Sequence, residues 1–369
     1  MAKVRYVLGI SGGKDSTALA IYLKTKYPLL DIEYYFCDTG KELEETYHLI
    51  DNLESFLGKK IEKLKAAKES PNDPFDHFLD LYGGFLPSSG ARWCTKVLKL
   101  EPFERFVGDG PVVSFVAIRG DEDREAYISK KPNIQSIFPF RRNIWSEDVV
   151  RFVLSNQNMN GLIECYNQQP IENATLRSVV LEIAGRPLSM AYPQARKLND
   201  LLLASTKLFN QVVFALMKPT QYPLGQVESF PVLDDEDVLT IDDVFQILRE
   251  SGVGVPAYYE KLEFELGGKK GHFSRSRSGC YFCFFQQKIE WIWLHEKHPE
   301  LFEKATQYEK DGYTWMQGER LEDIIKPERM RQIKEEQLRR LSRRPSANSG
   351  YLVDIIQEAE GEGCAACFI

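Results

Sequence analysis

The sequence contains no apolar run near the ~18 residues that a membrane-spanning helix requires. Its opening Met-Ala-Lys-Val-Arg-Tyr-Val-Leu has too short an apolar part for a signal peptide. A soluble, cytoplasmic protein with no membrane partner is the expectation. The chain has no surplus of positive charge: 47 Lys and Arg stand against 54 Asp and Glu, a formal net charge of −7. That excludes a basic coat over the whole molecule and leaves room for a local basic surface. Nor is there an even set of cysteines. Cys37, Cys94, Cys165, Cys280, Cys283, Cys364 and Cys367 make an odd seven, a poor disulfide framework in a long cytosolic chain. With 369 residues there is enough chain to bury a core without such staples. Roughly 150 residues per domain implies two domains, or one large domain with insertions.

What is present begins with alternation. Residues 4–10 form a short apolar run ended by Ser11-Gly12-Gly13, the pattern of a buried strand. A helix capped at Asp15-Ser16-Thr17 runs from there to about Tyr27, ahead of Pro28. Residues 32–37 read as a second strand, 43–57 as a helix with Leu49, Ile50, Leu53 and Leu57 at helical spacing, 61–64 as a third strand and 112–118 as a fourth. Strands alternating with helices predict a Rossmann-like, doubly wound parallel sheet. Past Arg141 the strand–turn alternation stops, and 150–215 is helical by pattern. Residues 326–344 read as a charged helix, and Pro345-Ser-Ala-Asn-Ser-Gly350 as a linker. The predicted organisation is therefore an α/β domain over 1–145, a helical insertion over 146–240, a helical C-terminal region over 241–345, and a flexible Cys-bearing tail over 346–369.

The strongest single signal is Gly9-Ile10-Ser11-Gly12-Gly13-Lys14-Asp15-Ser16, which follows a strand and opens a helix. Glycines let the backbone approach an anion, the helix N-terminus adds roughly half a positive charge, and Lys14 adds a full one. The loop is no Walker A motif, since Asp15 stands where Ser or Thr would meet Mg²⁺, and it does not match G-x-G-x-x-G. It resembles the Ser-Gly-Gly-x-Asp-Ser loop of the PP-loop ATP pyrophosphatases, whose adenine nucleotide alpha hydrolase-like fold cleaves ATP between the α- and β-phosphates. The resemblance implies ATP and Mg²⁺ as cofactors, with Ser11, Gly12, Gly13, Asp15 and Ser16 holding phosphates. Lys14 and Asp15 are its catalytic candidates.

Three more segments point to a branch. Cys37-Asp38-Thr39-Gly40-Lys41-Glu42 is similar to the Asp-Thr-Gly-x-Glu stretch of phosphoadenylylsulfate (PAPS) reductase-like proteins, which places Asp38 at ribose or Mg²⁺. An acid-rich helix N-terminus accounts for Glu42, Glu44 and Glu45 better than it accounts for Asp38. Arg92-Trp93-Cys94-Thr95-Lys96, continuing to Lys99, resembles a segment of the DNA phosphorothioation branch and would set Arg92, Lys96 and Lys99 toward phosphates. Ile118-Arg119-Gly120-Asp121-Glu122-Asp123-Arg124 resembles a Gly-Ile-Arg-x-x-Glu-Ser-x-x-Arg motif, with Ala117 and Asp123 replacing Gly and Ser; Arg119 and Arg124 are its oxyanion ligands. Arg275-Ser-Arg277-Ser278-Gly279-Cys280-Tyr-Phe-Cys283 then supplies the Cys-x-x-Cys of the superfamily's thio-transferases.

Cys94, Cys280 and Cys283 are thus the catalytic and metal-ligand candidates. By resemblance to tRNA-thiolating members they would hold a [4Fe–4S] cluster with one iron open. Zn²⁺ with His272 as a fourth ligand, or a redox dithiol, are the alternatives. The remaining histidines read as structural. Cys364 and Cys367 suit either a mobile sulfur relay or an incidental tail. Lys269, Lys270, Arg275, Arg277 and the 326–344 run leave a nucleic-acid partner open, although charged runs are usually solvated helix faces.

Together these imply an ATP pyrophosphatase supporting sulfur transfer in nucleic-acid modification (DNA phosphorothioation or tRNA thiolation) or phage defence. A cysteine desulfurase or other sulfur donor, and a multi-protein defence complex, are the partners implied. A sulfonucleotide reductase and a non-catalytic ATP-binding subunit of such a complex are the alternatives.

Overall fold

The structure is a computed structural model and describes residues 3–122 and 131–342. In chain order the α/β part comprises β1 (Arg5–Gly9), α1 (Lys14–Lys26), β2 (Ile32–Asp38), α2 (Glu44–Leu57), β3 (Ile61–Lys65), α3 (Pro74–Leu81), α4 (Trp93–Thr95), a π-helical turn (Lys96–Leu100), α5 (Glu101–Val107), β4 (Val112–Phe115) and β5 (Ile134–Ile137). Four helices follow: α6 (Glu147–Leu154), α7 (Met159–Gln168), α8 (Ala174–Gly185) and α9 (Gln194–Met217). The remainder comprises α10 (Ile241–Glu250), β6 (Leu262–Leu266), β7 (Lys269–Phe273), α11 (Lys288–Lys297), α12 (Pro299–Gln307), α13 (Leu321–Ile324) and α14 (Pro327–Ser342).

The five-stranded parallel sheet has the order β3-β2-β1-β4-β5, a Rossmann-like α/β fold. β1 pairs with β2 on one side and β4 on the other, Tyr6 standing opposite Ile32 and Val113. The strand order therefore reverses at β1, and ligands of doubly wound sheets bind beyond the carboxyl ends of strands at such a reversal. The loop that leaves β1 is Ile10–Gly13. β5 lies outside the predicted strands because its run is interrupted by Gln135 and Ser136, both buried. Gln135 is satisfied internally: its Oε1 accepts the Leu224 N–H at 2.9 Å.

The chain divides into two compact units. One comprises Met1–Gly9, Ala18–Tyr35 and Val107–Glu250; the other comprises Ile10–Thr17, Phe36–Phe106 and Ser251–Ile369. In the first, α9 packs on α6, α7 and α8. By length and composition alone it could cross a membrane, yet it is not one continuous helix. Ser205 is extended (φ −169°, ψ 109°), and its Oγ accepts the Leu208 N–H at 3.2 Å, capping a new helical segment. Each segment falls short of the ~20 residues of a span, and 56% of the most apolar stretch is buried. Lys197, fully buried, donates to the carbonyls of Ala184 and Arg186, both at 2.8 Å, and so satisfies the C-terminal end of α8.

In the second unit, α11–α14 enclose an aromatic core with Phe75, Trp93, Phe282, Trp291 and Trp315. Phe282 stacks on Trp315 with centroids 4.8 Å apart and meets Phe75 at 4.5 Å. β6 and β7 form an antiparallel hairpin within a region expected to be helical. The reason is legible afterwards: Leu-Glu-Phe-Glu-Leu alternates, and Gly267-Gly268, at φ +58° and +73°, supplies the two-residue turn that a hairpin favours.

Candidate functional site

The loop after β1 is held by its own hydroxyls. The Ser11 N–H donates to Ser16 Oγ at 3.0 Å, the two hydroxyls are 3.0 Å apart, and Ser16 Oγ also donates to the Gly13 carbonyl at 3.4 Å. Gly12 has φ +71°, and a Cβ there would lie 2.2 Å from Thr46 Cγ2. Only glycine meets both demands. At Gly13 the obstacle is Ser278, whose Oγ would be 2.6 Å from an added Cβ. Two tyrosines brace the loop from outside: the Tyr258 hydroxyl donates to the Gly12 carbonyl at 2.6 Å, and the Tyr259 hydroxyl accepts the Lys14 N–H at 3.2 Å. The Lys14 ammonium pairs with Asp15 at 3.0 Å and lies 5.2 Å from the Tyr259 ring centroid. Lys14, Asp15 and Ser16 are all buried. The arrangement is a cradle at the N-terminus of α1, in which the Ser11, Gly13 and Lys14 N–H groups donate to the hydroxyls of Ser16, Ser11 and Tyr259.

The segment after β2 packs against the Cys-x-x-Cys turn. Glu42 and Cys280 form an antiparallel bridge, and the Tyr281 N–H donates to the Lys41 carbonyl at 2.9 Å. Thr39 Oγ1 donates to Glu42 at 2.7 Å and lies 3.2 Å from Cys280 Sγ. Burial raises the Glu42 carboxyl above its ordinary range. The acid-rich helix N-terminus thus comprises Glu44 and Glu45, while Glu42 turns toward the thiol. Asp38 is a fixed acceptor: its carboxylate takes the Gly40 N–H and the Tyr47 hydroxyl, both at 2.9 Å, and pairs with Lys65 at 3.3 Å.

Cys94, Cys280 and Cys283 line one pocket together with Ser11, Thr39 and Lys99. Burial pushes the Cys94 thiol up to about 12, with Cys283 acting in the same sense. The Cys280 thiol is also pushed up, by burial and then by Glu42; the Lys99 charge opposes the rise at both. The π-helical turn Lys96–Leu100 carries Lys99, and such turns often mark functional positions. Among the described residues, no group of three or more His, Cys, Asp or Glu side chains is placed to hold a metal ion. His272 is on β7, its carbonyl accepting from Gln337. The three thiols line one pocket, but among the described residues they are not placed as a preassembled metal centre.

The other sequence candidates are distributed as follows. Arg92 is exposed at the start of α4; its Nε donates to the Ser89 carbonyl, and its guanidinium lies 5.0 Å from the Phe285 ring centroid. Lys96 is exposed. Arg119 belongs to the other unit, is 8% exposed, and pairs with Asp121 at 2.8 Å and Glu122 at 3.0 Å. Arg124, Cys364, Cys367, Arg343 and Arg344 lie outside the described residues. Within α14, Arg329 pairs with Glu319, Arg331 with Glu328, and Lys334 with Glu296, so much of the basic run has acidic partners. Sequence reasoning missed Tyr258 and Tyr259, and it did not single out Glu42 as a neighbour of Cys280. For the tyrosines, 245 or more residues from the loop they brace, no local signal existed.

Comparison with known proteins gives a likeness over the N-terminal part of the chain. Residues 5–180 match the phosphoadenosine phosphosulfate reductase domain; Cys280 and Cys283 lie beyond the matched stretch. Two uncharacterized proteins of Methanocaldococcus jannaschii are similar. One is 34% identical over 145 residues, covering 36% of this chain and 28% of the relative. The other is 30% identical over 159 residues, covering 40% and 36%. The chain therefore spans only about a third of the length of the relatives it matches. No solved structure matches the chain. Residues 5–180, just under half of the chain, are thus similar to the phosphoadenosine phosphosulfate reductase domain of the PP-loop superfamily.

Proposed function

We propose that this chain is an ATP pyrophosphatase that adenylates a substrate and supports sulfur transfer to it, in nucleic-acid modification of the phosphorothioate or tRNA-thiolation kind. One observation carries the reading: Ser11 of the phosphate loop lines the same pocket as Cys94, Cys280 and Cys283. In this reading the loop N–H groups and Lys14 stabilise charge developing on the β- and γ-phosphates. Mg²⁺ arrives with the nucleotide and needs few protein ligands. A substrate oxygen attacks the α-phosphorus, the bridging P–O bond breaks, and pyrophosphate leaves with the electron pair.

Sulfur follows as a cysteine persulfide loaded by an external donor. Its terminal sulfur attacks the activated atom, and AMP leaves with the bonding pair. A second cysteine attacks the resulting S–S bond and releases the thiolated product, leaving a protein disulfide for an external thiol to reduce. This sequence uses at least two cysteines, and the pocket presents three.

The test is incubation with ATP, Mg²⁺ and candidate nucleic acids. Pyrophosphate is the expected product, lost in Lys14→Ala; orthophosphate release refutes the reading. The family match favours a second reading, sulfonucleotide reduction, which sulfite release from phosphoadenylylsulfate with a dithiol reductant tests. Nucleotide turnover that depends on Lys14 counts against the third, a non-catalytic ATP-binding subunit of a defence complex.

A further inference from the structure

The turn between α8 and α9 lies beyond the residues similar to the reductase domain, and it supplies no residue to the cysteine pocket. It is pinned on both sides. Asn156 Oδ1 accepts the Leu188 N–H at 2.6 Å, and Asn156 Nδ2 donates to the Leu188 carbonyl at 3.1 Å. Ser189 and Tyr192 exchange backbone hydrogen bonds, both at 3.1 Å, leaving Met190 and Ala191 as a two-residue apex. Pro187 and Pro193 bracket the turn and limit its backbone freedom. At the apex, Met190 is fully exposed. A lone exposed methionine needs no explanation; its surroundings do. Beneath it Tyr192 is buried, its hydroxyl donating to Asp200 at 2.8 Å. Two guanidinium groups lie over the Tyr192 ring, Arg186 at 4.0 Å and Arg196 at 5.7 Å from the centroid. Both arginines are exposed, and neither guanidinium makes a hydrogen bond or ion pair with a described residue. The ring thus holds two long side chains in place without neutralising them.

We infer that this turn is a contact for double-stranded nucleic acid, in which Arg186 and Arg196 meet backbone phosphates and Met190 wedges against the base pairs. The inference rests on the nucleic-acid reading proposed above and names how the polymer is held. Exposed guanidinium groups with no acidic partner call for a polyanion, and phosphates suit their planar forks. An apolar side chain on a fixed apex is the means by which duplex binders part neighbouring base steps. Single strands are held instead by exposed aromatic platforms, and the only ring at this turn, Tyr192, is buried. An anionic membrane is disfavoured because one methionine offers little apolar area to a bilayer.

The test is binding of the full-length protein, without ATP, to short DNA and RNA duplexes carrying 2-aminopurine, read by anisotropy over a salt series. The matching single strands and phosphatidylserine vesicles are the comparison probes. A duplex of either kind should bind more tightly than its single strand and gain 2-aminopurine fluorescence as the base is unstacked. Replacing both Arg186 and Arg196 by Gln should weaken duplex binding about tenfold or more and flatten the salt dependence by about two phosphate contacts. Met190→Glu alters a side chain that is fully exposed, so its melting temperature should match the wild type. It should weaken binding several-fold and remove the fluorescence gain, whereas Met190→Leu keeps both. The inference is overturned if neither duplex binds, if the single strand binds more tightly, or if vesicles are bound in place of duplexes. Duplex binding that is unchanged in both Met190→Glu and the double arginine variant also overturns it. Pyrophosphate release by the wild type is measured separately, so failure of this contact and failure of the ATP reading are told apart.

Discussion

Ser278 Oγ lies 3.5 Å from Ser11 Oγ, joining positions 267 residues apart in the sequence. Through this pair the turn that carries Cys280 and Cys283 rests on the loop that opens α1.

Gly12→Ala should be among the most damaging single changes. The left-handed backbone and the methyl of Thr46 both oppose a Cβ, a strain of order 1–3 kcal/mol. The expected outcome is a lower melting temperature together with loss of nucleotide binding by calorimetry. A variant that binds ATP as the wild type does would contradict the cradle described above.

Tyr258→Phe removes the hydroxyl that donates to the Gly12 carbonyl at 2.6 Å and little else. A stability loss near ~1 kcal/mol is expected, with a rise in KM for ATP larger than any fall in the turnover number. Equal falls in kcat and kcat/KM would instead place the hydroxyl in the reaction.

Glu319 predicts a pH dependence. Hydrogen bonds from Arg329 at 2.6 Å and Lys288 at 2.7 Å hold its carboxyl down at about 2. A depressed acid contributes stability above its unfolded value, and the contribution is lost as pH falls toward the folded one. Glu319→Gln should therefore lower the melting temperature at neutral pH and make little difference near pH 2. A melting-temperature loss of equal size at both pH values would refute the assignment.

Lys197→Met keeps the aliphatic stem but removes the ammonium, so the carbonyls of Ala184 and Arg186 at the end of α8 lose their shared donor. A loss of about 1–3 kcal/mol by denaturant unfolding is expected, with pyrophosphate release per folded molecule unchanged. A fully stable variant would mean that the ammonium is replaceable by water.

The phosphate loop was readable because its information is local. Strand, glycines, lysine and helix follow one another within a dozen residues, and Gly12 has no substitute. The hairpin β6–β7 was equally local, in Gly267-Gly268 between alternating runs, but it was masked by the surrounding helical pattern. The assignment of Arg119 to an oxyanion rested on a motif alone. In the fold Asp121 and Glu122 pair with its guanidinium.

By itself the sequence determined the doubly wound sheet, the cradle after β1 and the set of cysteines worth watching. Periodicity, glycine placement and residue chemistry act over short distances along the chain. Tertiary structure alone decided which distant groups meet: Tyr258 and Tyr259 on the loop, Thr39 and Glu42 at Cys280, and guanidinium nitrogens of Arg275 and Arg277 buried without hydrogen-bond partners. Burial and charge pairing depend on neighbours that only folding brings together, so what these residues do is set by position and not by type.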